Sequence, residues 1–255
     1  MVNEIIKKLA DLPQVEAIAL GGSRANGVFD EFSDYDVYVY VTAEIDSKVR
    51  GKLLAPYCSE MEINNHYWEF EDNVILKNGV GMDIIYRPMD KFDQFISYTV
   101  FDCHASNGYS TCFWHNIITS QIVYDSNGKY TKLKEKFSIP YPEELRKNII
   151  DKNMKLLTGV LPSYDKQIKK ALDRQDFVSV NHRIAGFLAS YFDVIFAVNR
   201  LTHPGEKRLV QLCKERCEVL PKDFEENLNK LLTEKPTSEI TKIIDDMTAK
   251  LKEII

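Results

Sequence analysis

The sequence predicts an α+β protein. A small mixed β-sheet domain flanked by helices is expected over residues 1–140, followed by an all-α helical bundle domain over 141–255. Three observations lead there. Strict polar–apolar alternation, clearest in DVYVYV (36–41), marks strands in the first half. An Asn78-Gly79 pair between two β-prone runs marks a hairpin. Beyond Pro142 the strand patterns fade and a helical period takes over.

The elements follow in order. Ile5, Ile6, Leu9 and Leu12 give the opening segment one apolar face, so a short amphipathic helix is predicted. VEAIAL (15–20) reads as the first strand, ending at Gly21-Gly22, and DVYVYV as the second. NVILKNGVGMDIIYR (73–87) supplies the hairpin, KFDQFISYTVF (91–101) a helix, and SQIVYD (120–125) a last short strand. In the second half Phe177, Val180, Ile184, Phe187, Tyr191, Ile195 and Val198 form one broad stripe. Breaks at Pro162, Pro204-Gly205, Pro221 and Pro236 divide that half into separate helices.

Composition narrows the function. With 255 residues, 44% of them hydrophobic, the chain can bury a sizeable core. Residues 1–140 hold 13 Lys/Arg against 20 Asp/Glu, whereas 141–255 hold 20 against 18. An acidic first half is a poor match for a phosphate backbone, so nucleic acid is not expected as a partner. It suits a site that gathers cations. No apolar run reaches the ~18–20 residues of a membrane span, and five cysteines without a CxxC pair fit free thiols, so a cytoplasmic protein is expected.

The chemistry concentrates in residues 19–41, ALGGSRANGVFDEFSDYDVYVYV. A period of two puts Asp34, Asp36, Tyr38 and Tyr40 on one face of the second strand and Val37, Val39 and Val41 on the other. Two carboxylates ~4 Å apart repel by about 4 kcal/mol at an effective dielectric near 20. A hard divalent cation such as Mg²⁺ relieves that repulsion with oxygen ligands. Gly22 allows a tight turn with backbone N–H groups turned to an anion, Ser23 adds a hydroxyl, and Arg24 a permanent cation. Phosphate donors beside metal-binding carboxylates describe a nucleoside triphosphate site. Asp83, in the otherwise apolar MDIIY (82–86), is the candidate third carboxylate, since an acid there needs a partner.

GGSRANG (21–27) followed by SDYDVYV (33–39) resembles the signature of the DNA polymerase beta-like nucleotidyltransferase superfamily, and MDIIY resembles the strand that carries its third acid. The helical half is similar in layout to the small-molecule branch, which includes aminoglycoside and lincosamide adenylyltransferases, and by layout and the phrase HPGEKRL (203–209) it resembles most a group of such proteins with no assigned substrate. The resemblance implies transfer of AMP from ATP to a hydroxyl of a small molecule, with an aminoglycoside-like antibiotic as the leading example and antibiotic resistance as the associated role. Two Mg²⁺ ions would lie on Asp34, Asp36 and Asp83, with Asp83 as metal ligand, general base or both. Gly22, Ser23, Arg24, Lys207 and Arg183 would hold the nucleotide.

Other readings compete. The acceptor could be a protein, as in adenylylating antitoxins, or the domain could be an inactive nucleotide-binding regulator. Cys103-His104 and Cys112-x-x-His115 carry zinc-binding atoms, but the spacing fits no usual ligand set and core packing is favoured. His66-Tyr67-Trp68 could stack on a base, and packing is again favoured. THPGEKRL (202–209) is expected to open a helix with Pro204 in its first turn.

Overall fold

The computed structural model describes residues 1–22 and 33–255. The chain divides into two compact units, Met1–Ser97 with Asn116–Ile139, and Tyr98–His115 with Pro140–Ile255. Residues 98–115 thus pack with the helical unit, a placement that the expected boundary at 140 did not include.

The first unit is built on a six-stranded sheet: β1 (Val15–Leu20), β2 (Tyr35–Val41), β3 (Cys58–Asn65), β4 (Glu71–Leu76), β5 (Gly81–Pro88) and β6 (Gln121–Asp125). The spatial order is β3-β4-β5-β2-β1-β6; β2 and β5 run parallel and every other pair is antiparallel. Helix α1 (Val2–Ala10) buries Ile5, Ile6 and Leu9 against one face, where Val37, Val39 and Val41 meet Val74, Met82 and Ile84. Helix α2 (Ser47–Leu54), capped by the Asp46 carboxylate on the Lys48 N–H at 2.7 Å, adds Leu54 to the same layer. The alternation of β2 sends three valines there, and the hydrophobic effect fixes the register.

The opposite face is buried too, but with polar aromatics. Tyr40 packs against Tyr130 with ring centroids 4.5 Å apart, and the Tyr130 and Ser120 hydroxyls lie 2.7 Å apart. Tyr130 comes from α5 (Lys129–Phe137), and Phe92, beside Tyr40 at 5.7 Å, from α3 (Met89–Val100). Helix α4 (Cys112–Thr119) begins in the second unit and ends in the first.

In the second unit, α6 (Glu143–Leu157) and α7 (Tyr164–Asp173) both pack along α8 (Phe177–Val198), and α9 (Leu209–Arg216), α10 (Phe224–Thr233) and α11 (Glu239–Lys252) follow. The four proline breaks all fall between helices. The α7–α8 break has no proline; Gln175 takes a left-handed φ of 55° and the Asp176 side chain caps α8. The stripe on α8 is buried from Val180 to Val198, while Phe177 in the first turn is 46% exposed. Helix α9 starts at Leu209, so Pro204 lies in the preceding loop and not in a first helical turn. Arg208, at φ 56°, takes the position before the helix.

Candidate active site

The site grows from the register of β2, β5 and β4. Asp36 stands directly beside Asp83 across the parallel β2–β5 ladder, a spacing of about 4.8 Å between strands. Asn73 stands opposite Asp83 on β4, and Glu62 opposite Asn73 on β3. All four side chains therefore share one face, the face away from the valine core. Asp34 precedes β2 on the same side.

Two glycines make room for the acids. Gly22 adopts φ 63°, and a Cβ there would come 1.9 Å from Asp36 Oδ2. A Cβ on Gly81 would come 2.3 Å from Asp34 Oδ1. Glycine is favoured at residue 22 by its positive φ, and at both residues a side chain would have to displace the neighbouring carboxylate. These contacts also give direction: the Asp36 carboxylate lies toward the turn after β1, and that of Asp34 toward β5.

A groove of about 360 Å³ opens on this face, lined by Asp34, Glu60, Glu62, Asn73, Gly81 and Asp83 among others. Four carboxylates and no Lys or Arg line it among the described residues. Asn73 Nδ2 donates to Asp83 Oδ1 at 2.8 Å. Beside it Glu71 is buried, and burial, followed by the Asp83 charge, pushes its carboxyl up while the Asn73 amide pulls it down. Deeper on the face, burial lifts the Tyr38 hydroxyl to about 12, with the Arg87 guanidinium acting against that rise. Arg87 stacks over the Tyr38 ring at 4.3 Å and pairs with Glu69 at 2.5 Å, so its charge already has a partner.

The structure brings Asp34, Asp36, Asp83 and Gly22 to one face of the first unit. Ser23 and Arg24 lie outside the described residues. Arg183, half-buried on α8, and Lys207, exposed in the turn before α9, belong to the second unit. Asn73, Glu60 and Glu62 escaped the sequence reading. Strand alternation did not point to Asn73: carried outward from a two-residue Asn78-Gly79 turn, it sets Val74 opposite Asp83.

Two other expectations are corrected or resolved. Tyr67 and Trp68 do not pack; they are 81% and 88% exposed at the β3–β4 turn, while His66 stacks on Phe70. His115 Nδ1 lies 2.7 Å from Thr202 Oγ1, and burial, aided by Arg216, lowers the ring to about 4. His104 stacks on Tyr98.

The acids fit a hard divalent cation in donor chemistry, since every polar atom they offer is oxygen and no base competes among the described residues of the groove. Among the described residues, no three His, Cys, Asp or Glu side chains already surround one point. Asp34 Oδ1 lies toward Gly81 and Asp36 Oδ2 toward Gly22.

Comparison with known proteins gives the class. Residues 2–105 match the nucleotidyltransferase domain family, and residues 112–209 match the domain of unknown function DUF4037. Residues 2–105 thus carry a nucleotidyltransferase domain, and the enzyme class that this domain shows is nucleotidyltransferase. No curated protein matches it. Among solved structures it is similar to a nucleotidyltransferase-like protein from Exiguobacterium sibiricum, at 12% identity and a TM-score of 0.45, over 99% of this chain and 72% of the other. It is also similar to an aminoglycoside 6-adenyltransferase from Bacillus subtilis, at 11% identity and a TM-score of 0.32, over 99% and 86% of the two chains. A CCA-adding enzyme in complex with ATP aligns at 11% identity and a TM-score of 0.32, over 98% and 77%. No helix of the described residues is long and apolar enough to cross a membrane.

Proposed function

We propose that the first unit transfers AMP from ATP to a hydroxyl of a small molecule, releasing pyrophosphate. The observation that carries this reading is the groove with four carboxylates and no base among its described lining residues, set beside a glycine turn whose conformation suits phosphate. Asp34, Asp36 and Asp83 would hold Mg²⁺, which supplies charge neutralisation at the triphosphate and acidifies the acceptor hydroxyl. Asp83 takes the hydroxyl proton as the acceptor oxygen bonds to the α-phosphorus and the bond to pyrophosphate breaks. Backbone N–H groups at Gly22, with Ser23 and Arg24 beyond it, orient the β- and γ-phosphates. An acidic groove favours a cationic acceptor, and an aminoglycoside-like antibiotic has that chemistry.

The test is incubation of the full chain with Mg²⁺, labelled ATP, a panel of aminoglycosides and lincosamides, and a cell lysate. Label on a small molecule is the expected result. Label on a protein instead would make the acceptor a side chain, and label nowhere would leave a nucleotide-binding regulator. Asp34→Asn should lower transfer by on the order of 10²–10³-fold with the fold unchanged; near-normal turnover would refute the assignment.

A further inference from the structure

Asp83 is held from behind by a chain of side-chain amides. Asn73 Nδ2 donates to Asp83 Oδ1 at 2.8 Å, and Asn65 Nδ2 donates to Asn73 Oδ1 at 2.7 Å. The backbone N–H of Tyr67 then donates to Asn65 Oδ1 at 2.8 Å. The two ends of an asparagine amide look alike, so its orientation must be read from its partners. Here a backbone N–H closes the chain, and such a group can only donate. Asn65 must therefore turn its oxygen to Tyr67 and its NH₂ to Asn73. Asn73 must in turn give its oxygen to Asn65 and its NH₂ to Asp83. At the far end an ionised carboxylate can only accept. Both ends dictate the same direction, so the chain has one arrangement; flipping either amide sets like groups against each other.

The backbone is shaped for this. The β3–β4 register shifts between Glu62 and Asn65, and Asn64 takes φ 71°. That irregularity sends two consecutive asparagines to different tasks: Asn64 Oδ1 accepts from Arg50 on the helix-covered side, while Asn65 reaches Asn73 on the groove side.

We infer that Asn73 is a positioning residue for the transfer reaction, with Asn65 fixing its amide, so that Asp83 is held by one oxygen and presents the other to the groove. This rests on the proposed role of Asp83 in the site. An amide suits the task because it is neutral: a lysine or arginine here would cancel the charge that the groove offers to a cation, whereas asparagine orients the carboxylate and leaves that charge in place.

The test uses the full chain and two variants. Asn73→Ala removes the bond to Asp83. Asn65→Asp keeps an acceptor for the Tyr67 N–H, and with it the hairpin turn, but can no longer donate to Asn73 when ionised. Mn²⁺ affinity is measured by calorimetry with a non-hydrolysable ATP analogue present, and turnover with labelled ATP and whichever panel member accepts label. Asn73→Ala should weaken Mn²⁺ binding and lower kcat by about 10- to 100-fold, with KM for ATP nearly unchanged. Asn65→Asp should move both quantities the same way by a smaller factor, with an unchanged melting temperature. Wild-type affinity and kcat in both variants would overturn the inference while leaving the proposed function standing. Loss of melting temperature at unchanged kcat per folded molecule would also overturn it, by reducing the amides to hairpin staples. Absence of Mn²⁺ binding and turnover in the wild type would remove the proposed function, and this inference with it.

Discussion

Asp72 and Asn73 are consecutive on β4 and face opposite sides of the sheet, so one strand displays two ways of keeping acids. On the helix-covered side Asp72 is fully buried, with Arg50, also fully buried, 2.5 Å away. It further accepts from the Asn64 N–H at 2.8 Å and the Tyr86 hydroxyl at 3.0 Å. Burial pushes its carboxyl up, and those three partners pull it down. On the other side Asp83, Asp34, Glu60 and Glu62 line a groove in which no base stands among the described residues. Where an acid's counter-charge is built into the chain, the acid is structural. The described residues lining the groove supply none to its acids, as the proposed cation site requires.

The largest expected effect tests the structural half of that contrast. Asp72→Ala leaves the Arg50 charge buried without its partner and should cost about 3–5 kcal/mol in urea unfolding. Replacing both, Arg50→Met with Asp72→Leu, should recover much of that loss. Asp83→Asn should cost less than about 1 kcal/mol while removing transfer. If Asp83→Asn unfolds the chain as readily as Asp72→Ala, the distinction fails.

Next in size is a change that displaces an acid without touching it. Gly81→Ala puts a Cβ 2.3 Å from Asp34 Oδ1 and must move that carboxylate. A displacement near 1 Å should lower kcat by roughly 10²-fold, with circular dichroism and melting little altered. Unchanged kcat would show that the position of Asp34 is not critical.

The smallest effect concerns a third way of holding an acid. Asp193 on α8, 1% exposed, accepts from the Ser110 N–H at 3.0 Å, the Ser110 hydroxyl at 2.7 Å and Asn153 Nδ2 at 3.0 Å. Burial raises it to about 6 despite those donors. A carboxyl raised in the folded state binds its proton there first, so its contribution to stability is full below the unfolded value near 3.8 and is lost as pH rises through about 6. Between pH 6 and 4 the wild type should therefore gain on Asp193→Asn by on the order of 2 kcal/mol. Taking that difference between the two proteins cancels the opposing trend of His203, which burial holds near 3 and which loses stability as pH falls below about 6.5. A pH-independent difference would show that Asp193 does not titrate over this range.

Much of this was legible beforehand. The Val37-Val39-Val41 alternation fixed which face of β2 is core, and the prolines marked the breaks of the second half except the one between α7 and α8. The Asp-x-Asp pair and Asp83 declared themselves because acids in apolar strands need a reason. His66-Tyr67-Trp68 misled, because aromatic residues suggest packing; only a hairpin's position in the sheet tells whether anything lies above its tip. The Asp72–Arg50 pair was equally hidden, since its partners are 22 residues apart and meet only when α2 crosses the sheet.

The sequence by itself determined the order of the elements, the core face and the acids to watch, because these rest on local periodicity and on the cost of burying charge. The tertiary structure alone decided which residue stands beside Asp83. An Asn-Gly turn of two residues would have put Val74 there. The turn instead takes three, with the Leu76 N–H donating to the Val80 carbonyl at 2.9 Å and Gly79 at φ 84°. That one-residue difference brings Asn73 to the groove and turns Asp72 to Arg50. Side chains alternate along a strand, so a single step in register exchanges its two faces.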